Sequence, residues 1–364
     1  MSEQNAWEKT LCGLSSCLKG GETEDISFAP LADWLLGPVR MALLETHLDL
    51  QVADVLAETG DPKAIAAQLG VDPGNLGFFL DALVTIGLAT KSDGHYANSP
   101  LAAKYLRRDS ETYLGGLIRH LQGMQHRNLP KLKELLISGP PPVREEHRLD
   151  DPLHWKRSAK DLACYQKAGI ARLAAELVAS LPEWPALRHM LDLGGGPGVI
   201  GLFIVQRHPS MTGALCDLPP VVEVAREEIA ASGMAHRMTL YPGNYNEIPF
   251  GSGYDLIWAS HTLYFAKDLR ALMGKLLDAL QPGGIFISFH EGLTHERTQP
   301  PPYVLSRLSL ALEGQDTTFQ AGQIAEAALA AGFAELETRA VDTPMGQVRV
   351  DILRKAGSLK GRCP

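Results

Sequence analysis

The chain has 364 residues, 45% hydrophobic and 21% charged, with a formal charge of -8. That length suits two cores, and the acidic balance argues against nonspecific binding to nucleic acid or anionic membrane. The five cysteines (Cys12, Cys17, Cys164, Cys216, Cys363) form no CxxC pair and read as free thiols of a reducing cytoplasm. With no leader-like start and no apolar run of about 18 residues, neither secretion nor a membrane span is expected.

Residues 1–29 are polar and irregular and read as a flexible arm, ordered only on a partner. From Pro30 the pattern is helical. Pro62 to Gly70 predicts a short helix, Val71-Asp72-Pro73 caps the next, and Gly74 to Gly87 is that second helix. Leu88 to Asn98, with the turn Ser92-Asp93-Gly94, predicts a small hairpin. Helix, turn, helix and wing make a winged-helix layout. Residues 74–87 contain no Lys or Arg, so the second helix lacks the cations that hold a DNA reader to phosphate. The unit is expected to bind protein.

Residues 107–185 continue helically, interrupted by Ser138-Gly-Pro-Pro-Pro-Val143. From Arg188 strand and helix patterns alternate. Strands are predicted at 189–193, 213–217, 238–241, 254–260, 284–290, 334–341 and 347–353, with Pro282-Gly283-Gly284 breaking a helix before the fifth. That alternation implies a parallel sheet with crossover helices, closed by an antiparallel hairpin.

The chemistry concentrates at His189-Met-Leu-Asp-Leu-Gly-Gly-Gly-Pro-Gly-Val-Ile-Gly201, a strand ending in a glycine turn that opens a helix. Gly194, Gly196 and Gly198 let the backbone pass close to a bulky ligand. Asp217 ends the next strand nineteen residues beyond Gly198, where a carboxylate accepts both hydroxyls of a ribose. An adenosine-type cofactor is implied. Gly196, Gly198 and Gly201 formally satisfy the GxGxxG of a nicotinamide dinucleotide site. The proline inside the turn and Asp192 before it fit S-adenosylmethionine better.

Asp192-Leu-Gly-Gly-Gly-Pro-Gly198, Cys216-Asp-Leu-Pro219, Gly243-Asn244-Tyr245 and Leu280-Gln-Pro-Gly-Gly284 resemble successive motifs of class I methyltransferases. More narrowly, the chain resembles the O-methyltransferase family with an N-terminal winged-helix dimerisation domain, as in hydroxyindole and caffeate methyltransferases, over roughly residues 30–355. The resemblance implies a Rossmann-like α/β sheet, mostly parallel with an antiparallel final strand, behind a mainly α-helical dimerisation domain. It divides the chain into a winged-helix dimerisation domain (30–110), a helical linker and substrate-pocket segment (111–185), a cofactor domain (186–356) and a tail (357–364). It implies a cytoplasmic homodimer that methylates a small molecule from S-adenosylmethionine, leaving S-adenosylhomocysteine. The glycine loop and Asp192 would then surround the amino acid moiety of the cofactor. Asp217, with Leu218 beside it, would bind the ribose, and Asn244-Tyr245 would flank the adenine. Ser260 falls where plant relatives have a cofactor-contacting lysine.

Where O-methylating relatives carry a histidine base after the fourth strand, this chain has Tyr264. Tyrosine is a poor proton acceptor near neutrality, with a solution pKa of about 10. His261, three residues earlier, is the alternative base, and His290-Glu291 ends the fifth strand at the same sheet edge. His290, Glu291, His295 and Glu296 lack HExxH spacing, and no metal is expected. A missing base suggests an acceptor with no proton to lose, such as a thioether sulfur. The resemblance extends to a branch that S-methylates 4-methylthio-2-hydroxybutyrate and to one that methylates tetrapyrrole carbons. O-methylation with His261 as base stays open. Arg119, His126 and Arg127 can share a helix face and pair with a substrate carboxylate. Tyr113, Trp155 and Tyr165 are candidates for the pocket wall or for plain core.

Overall fold

The computed structural model describes residues 27–141 and 151–357. The arm up to residue 26, part of the proline run, and Cys12, Cys17 and Cys363 lie outside the described residues.

The first unit is built from well-capped short helices. Pro62–Leu69 starts at Asp61, whose carboxylate accepts from Ala64 N at 3.1 Å, and stops at Gly70 in the left-handed conformation. Pro73–Thr85 starts at Asp72, which accepts from Asn75 N at 2.8 Å. In both, proline fills the first helical position, where a missing N–H is harmless. The hairpin follows, β1 (Ala89–Ser92) against β2 (His95–Asn98), turned by Asp93 and Gly94 at φ 49 and 79. Ile65, Leu80 and Leu83 are fully buried between these pieces, each contributing about 1.5–3 kcal/mol. Ahead of them runs the helix Ala29–Asp49, apolar and exposed along most of its length.

Helices Gly115–His126, Leu132–Ser138 and Pro152–Tyr165 lead towards the second unit. Its strands are β3 (His189–Leu193), β4 (Thr212–Asp217), β5 (Met238–Pro242), β6 (Tyr254–Ser260), β7 (Leu280–His290), β8 (Glu335–Thr343) and β9 (Gly346–Arg354). They form one sheet in the order β5-β4-β3-β6-β7-β9-β8. β3 to β7 run parallel, and β9 pairs antiparallel with both β7 and β8, as the alternation predicts. Both faces are covered: Met190, Trp258 and Ile287 belong to one core, Leu191, Ile257 and Phe286 to the other.

One boundary differs from expectation. The fifth long strand begins at Leu280, not 284, with Pro282-Gly283-Gly284 inside it. Pairing to β6 jumps from Tyr254–Leu280 to Leu256–Ile285, so the extra residues bulge out. Proline has no ladder N–H to give and Gly283 takes φ 79, which makes this a place for a bulge.

The order places β4 on one side of β3 and β6 on the other. Ligands in such sheets bind beyond the carboxyl ends, where the strand order reverses. Gly194, Asp217, Ser260 and His290 all arrive there.

Candidate functional site

A cleft of about 1050 Å³, counted out to its open mouth, lies over these strand ends, at the upper end of sizes that hold a small cofactor. Its floor is the glycine loop. Gly194 takes φ 59, and a Cβ there would fall 1.9 Å from Thr262 Oγ1; Gly196, at φ 58, faces open space. Asp217 accepts from Gly196 N at 2.8 Å and Leu218 N at 2.7 Å, which fixes its carboxylate against the loop. Burial pushes that carboxyl up to about 6, although these two bonds pull it down.

Of the proposed cofactor residues, Gly194, Gly196, Asp217, Leu218, Asn244, Tyr245 and Ser260 wall the cleft. Asp192 and Gly198 stand behind it. Asp192 is buried and accepts from Gly201 N at 3.0 Å, tying the helix Val199–Arg207 to β3. Burial, with Asp217 adding to it, raises its carboxyl to about 7. A Cβ on Gly201 would lie 2.7 Å from its Oδ2, which explains that glycine by packing. Gly198, at φ 77, is the N-cap of the same helix. Asn244 Oδ1 accepts from Asn246 N and Nδ2, and Tyr245 donates its hydroxyl to Thr262 O at 2.8 Å.

The opposite wall comes from the helix Pro152–Tyr165, with Trp155 and Tyr165 in the lining. The helix continues into a wide π turn, Gln166–Ile170, where Gly169 takes φ 148. Gln166 is thereby brought to the wall, and its buried Oε1 has no hydrogen-bond partner. Reading the sequence overlooked Gln166, for which Gly169 inside a helical pattern is the signal. Trp155 meets Phe265 edge-on at 5.8 Å, with both in the cleft wall.

S-adenosylmethionine fits this donor set. Asp217 suits a ribose, and Gln166 offers an unanswered acceptor to an ammonium or amide donor. The glycine floor admits a ligand that any β-carbon at Gly196 would meet.

Beyond β6 the chain turns sharply at His261, whose φ of 48 is rare for a non-glycine residue. The turn aims its ring at Glu291, thirty residues later. His261 Nδ1 lies 3.1 Å from Glu291 Oε2 and 3.1 Å from Tyr264 Oη. Tyr264 donates its hydroxyl to the same Glu291 oxygen. Burial raises the Glu291 carboxyl, but the hydrogen bond and charge of His261 outweigh it, with Arg307 and Tyr264 adding to them, and hold it at about 2. An ionised Glu291 keeps the His261 proton on Nδ1. Nε2 has no partner among the described residues and lies on a ring that walls the cleft.

Tyr264 and His290 hold other posts. Burial, reinforced by Glu291, pushes the Tyr264 hydroxyl well above its usual range, so it donates and does not take protons. His290 Nε2 accepts from Thr262 N at 3.1 Å and Leu263 N at 3.2 Å. Its proton must therefore sit on Nδ1, 2.9 Å from Ser288 Oγ. Burial, with His261 nearby, lowers the ring to about 3. His290 holds the 261–263 turn in place.

The expected cation cluster is not in the cleft wall. Arg119 pairs with Asp49 at 3.0 Å and Arg127 with Glu313 at 3.3 Å, both guanidiniums largely exposed. His126 ends the helix Gly115–His126 outside that wall, and Tyr113 folds over Gly115 against the first unit's core. Helical spacing gives these side chains a common direction but not the direction of the cleft.

Residues 163–334 match the O-methyltransferase domain, and residues 33–108 match the O-methyltransferase dimerisation domain. The 3-hydroxy-5-methyl-1-naphthoate 3-O-methyltransferase of Streptomyces sahachiroi is 24% identical over 85% of this chain and 90% of its own length. The N,N-dimethyltransferase OxyT of Streptomyces rimosus is 26% identical over 74% of this chain and 79% of its own. Human N-acetylserotonin methyltransferase in complex with S-adenosylmethionine superposes with a TM-score of 0.73 at 19% identity, covering 93% of this chain and 100% of that one.

Proposed function

Since the chain belongs to the O-methyltransferase family and is an S-adenosylmethionine-dependent methyltransferase of small metabolites, we propose that it methylates a hydroxyl oxygen deprotonated by His261. The observation that carries this reading is the convergence of His261 Nδ1 and Tyr264 Oη on one oxygen of Glu291.

The bound cofactor supplies a methyl group on a sulfonium sulfur, open to in-line attack. The protein aligns and deprotonates the attacking oxygen. Asp217 would seat the ribose and the loop at Gly194 and Gly196 the amino acid end, with Trp155 and Phe265 in the cleft wall. His261 Nε2 takes the hydroxyl proton as the oxygen attacks. The resulting imidazolium is balanced by Glu291, which already holds Nδ1–H. A positioned base of this kind is worth about 10²–10⁴-fold in rate.

S-methylation of a thioether acid such as 4-methylthio-2-hydroxybutyrate is the competing reading. It rests on the lack of a base at Tyr264, and the His261–Glu291 pair favours a base-assisted reading instead. Carbon methylation keeps the same cleft with a different nucleophile. Incubation with S-adenosylmethionine and hydroxyarenes, thioether acids and tetrapyrroles, with products identified by mass spectrometry, tests the choice. We expect O-methyl products; sulfonium or C-methyl products alone would reject the reading.

We further propose that the helix Ala29–Asp49 is a homodimer contact. Leu31, Trp34, Leu35 and Val39 are 57%, 72%, 78% and 54% exposed on it, a patch that a lone soluble chain would not sustain. Trp34→Glu with Leu35→Glu should halve the mass seen by light scattering; an unchanged mass would refute the contact.

A further inference from the structure

The mechanism leaves one polar atom of the cleft wall unused. Among the described residues, Gln166 Oε1 is the only buried, unpartnered side-chain polar atom whose residue walls the cleft. The other carboxamides of that wall are answered. Asn244 Oδ1 accepts from Asn246, and Asn246 Oδ1 accepts from Lys267 N at 3.0 Å. An amide oxygen withdrawn from water and given no donor is unfavourable, so its place in a ligand cleft points to a donor on the ligand.

The π turn Gln166–Ile170 decides which end of the cleft this oxygen serves. Ile170, its last residue, is buried in one core with Val199 and Ile200. Those two open the helix Val199–Arg207, whose N-cap Gly198 ends the glycine loop. The turn is therefore anchored at the loop end of the cleft, where Gly194 and Gly196 form the floor. The carboxylates nearby are already engaged. Asp217 accepts from Gly196 N and Leu218 N, while Asp192 stands behind the floor and accepts from Gly201 N. An ammonium brings three N–H donors, and its hydrogen bonds are strengthened by charge. Gln166 Oε1 is the side-chain oxygen that waits for one.

We propose that Gln166 Oε1 accepts a hydrogen bond from the ammonium at the cofactor's amino acid end, which makes the π turn part of the cofactor seat together with the glycine loop and Asp217. The inference rests on the cofactor and not on the hydroxyl-acceptor reading, because it concerns binding alone. Gln166 is a recognition residue; it moves no proton. Since its role is to accept, a carboxylate can replace it and a hydrocarbon cannot.

The test is calorimetric titration of the full chain with S-adenosylhomocysteine, which keeps the ammonium, and with 5′-methylthioadenosine, which has the nucleoside and thioether but no amino acid. Gln166→Leu should weaken S-adenosylhomocysteine about 10-fold or more and leave methylthioadenosine within about 3-fold. Gln166→Glu keeps an acceptor and adds charge, so it should hold S-adenosylhomocysteine at least as tightly as the unaltered protein. Unchanged S-adenosylhomocysteine affinity in Gln166→Leu, an equal loss for both probes, or a loss of about 10-fold in Gln166→Glu would each overturn the assignment. Methylthioadenosine reports whether the cleft is intact, and the glutamate variant decides where the leucine variant fails to fold. Failure of the cofactor reading looks different: the unaltered protein binds neither probe, and the assignment falls with it.

Discussion

Replacing His261 with glutamine lowers kcat by about 10²–10⁴-fold while the affinity for S-adenosylhomocysteine, measured by calorimetry, stays within a few-fold of the original. The side chain belongs to the cleft wall, but Gly194, Gly196 and Asp217, the residues proposed to hold the cofactor, are left in place by the change. Glutamine keeps an N–H for Glu291 and removes only the basic nitrogen, so the loss reports proton transfer. Glu291→Gln follows with a smaller loss, because the imidazole remains but its positive state has lost its counter-charge. Tyr264→Phe should stay within about 10-fold, since it deletes one donor to Glu291 and no acceptor. Glu291, held at about 2, is ionised throughout the accessible range. A thioether acceptor inverts the result: with no proton to remove, the glutamine variant keeps kcat within a few-fold.

The parts of this site visible in the sequence are those where the backbone itself forms the cleft floor. Glycines at positive φ and an acid closing the adjacent strand depend on local geometry, so their spacing survives in one dimension. The same holds for the capped helices Pro62–Leu69 and Pro73–Thr85 and for the parallel strands, whose continuous apolar runs report burial on both faces. The proposed base was harder to see. Counting along the chain reaches Tyr264, and only the reversal at His261, with its φ of 48, brings that imidazole onto a carboxylate from another strand. His290 carries the right chemistry at the right edge, yet two backbone N–H groups occupy its acceptor nitrogen, a fact that no spacing encodes. Arg119 and Arg127 mislead for a related reason. Periodicity orders side chains around a helix, whereas their partners Asp49 and Glu313 come from distant segments.

Asp217→Asn weakens binding of S-adenosylmethionine by about 100-fold or more, and the loss grows with pH. A carboxylate accepting two ribose hydroxyls makes hydrogen bonds of about 1.5–3 kcal/mol each, and the amide has one oxygen and no charge to offer. In the ligand-free protein burial holds this carboxyl at about 6, well above its ordinary 3.8. Hydroxyl donors favour the charged form, so binding lowers that value and expels a proton near pH 6. The unaltered protein should therefore lose affinity as pH falls through 6. Its binding heat should vary with the ionisation enthalpy of the buffer, and the asparagine variant should show neither effect. The sign for folding is opposite. A carboxyl raised in the native state makes the ligand-free fold more stable below its folded value and less stable as pH rises through about 6. Asp217→Asn should then leave the ligand-free melting temperature at pH 8 unchanged or higher, while abolishing most of the rise that the cofactor produces. A melting temperature that drops with the variant would mean that Asp217 serves the loop through Gly196 N and Leu218 N. Unaltered cofactor affinity would remove it from the nucleoside seat. Both measurements together separate the burial of an acid for packing from its burial for a ligand.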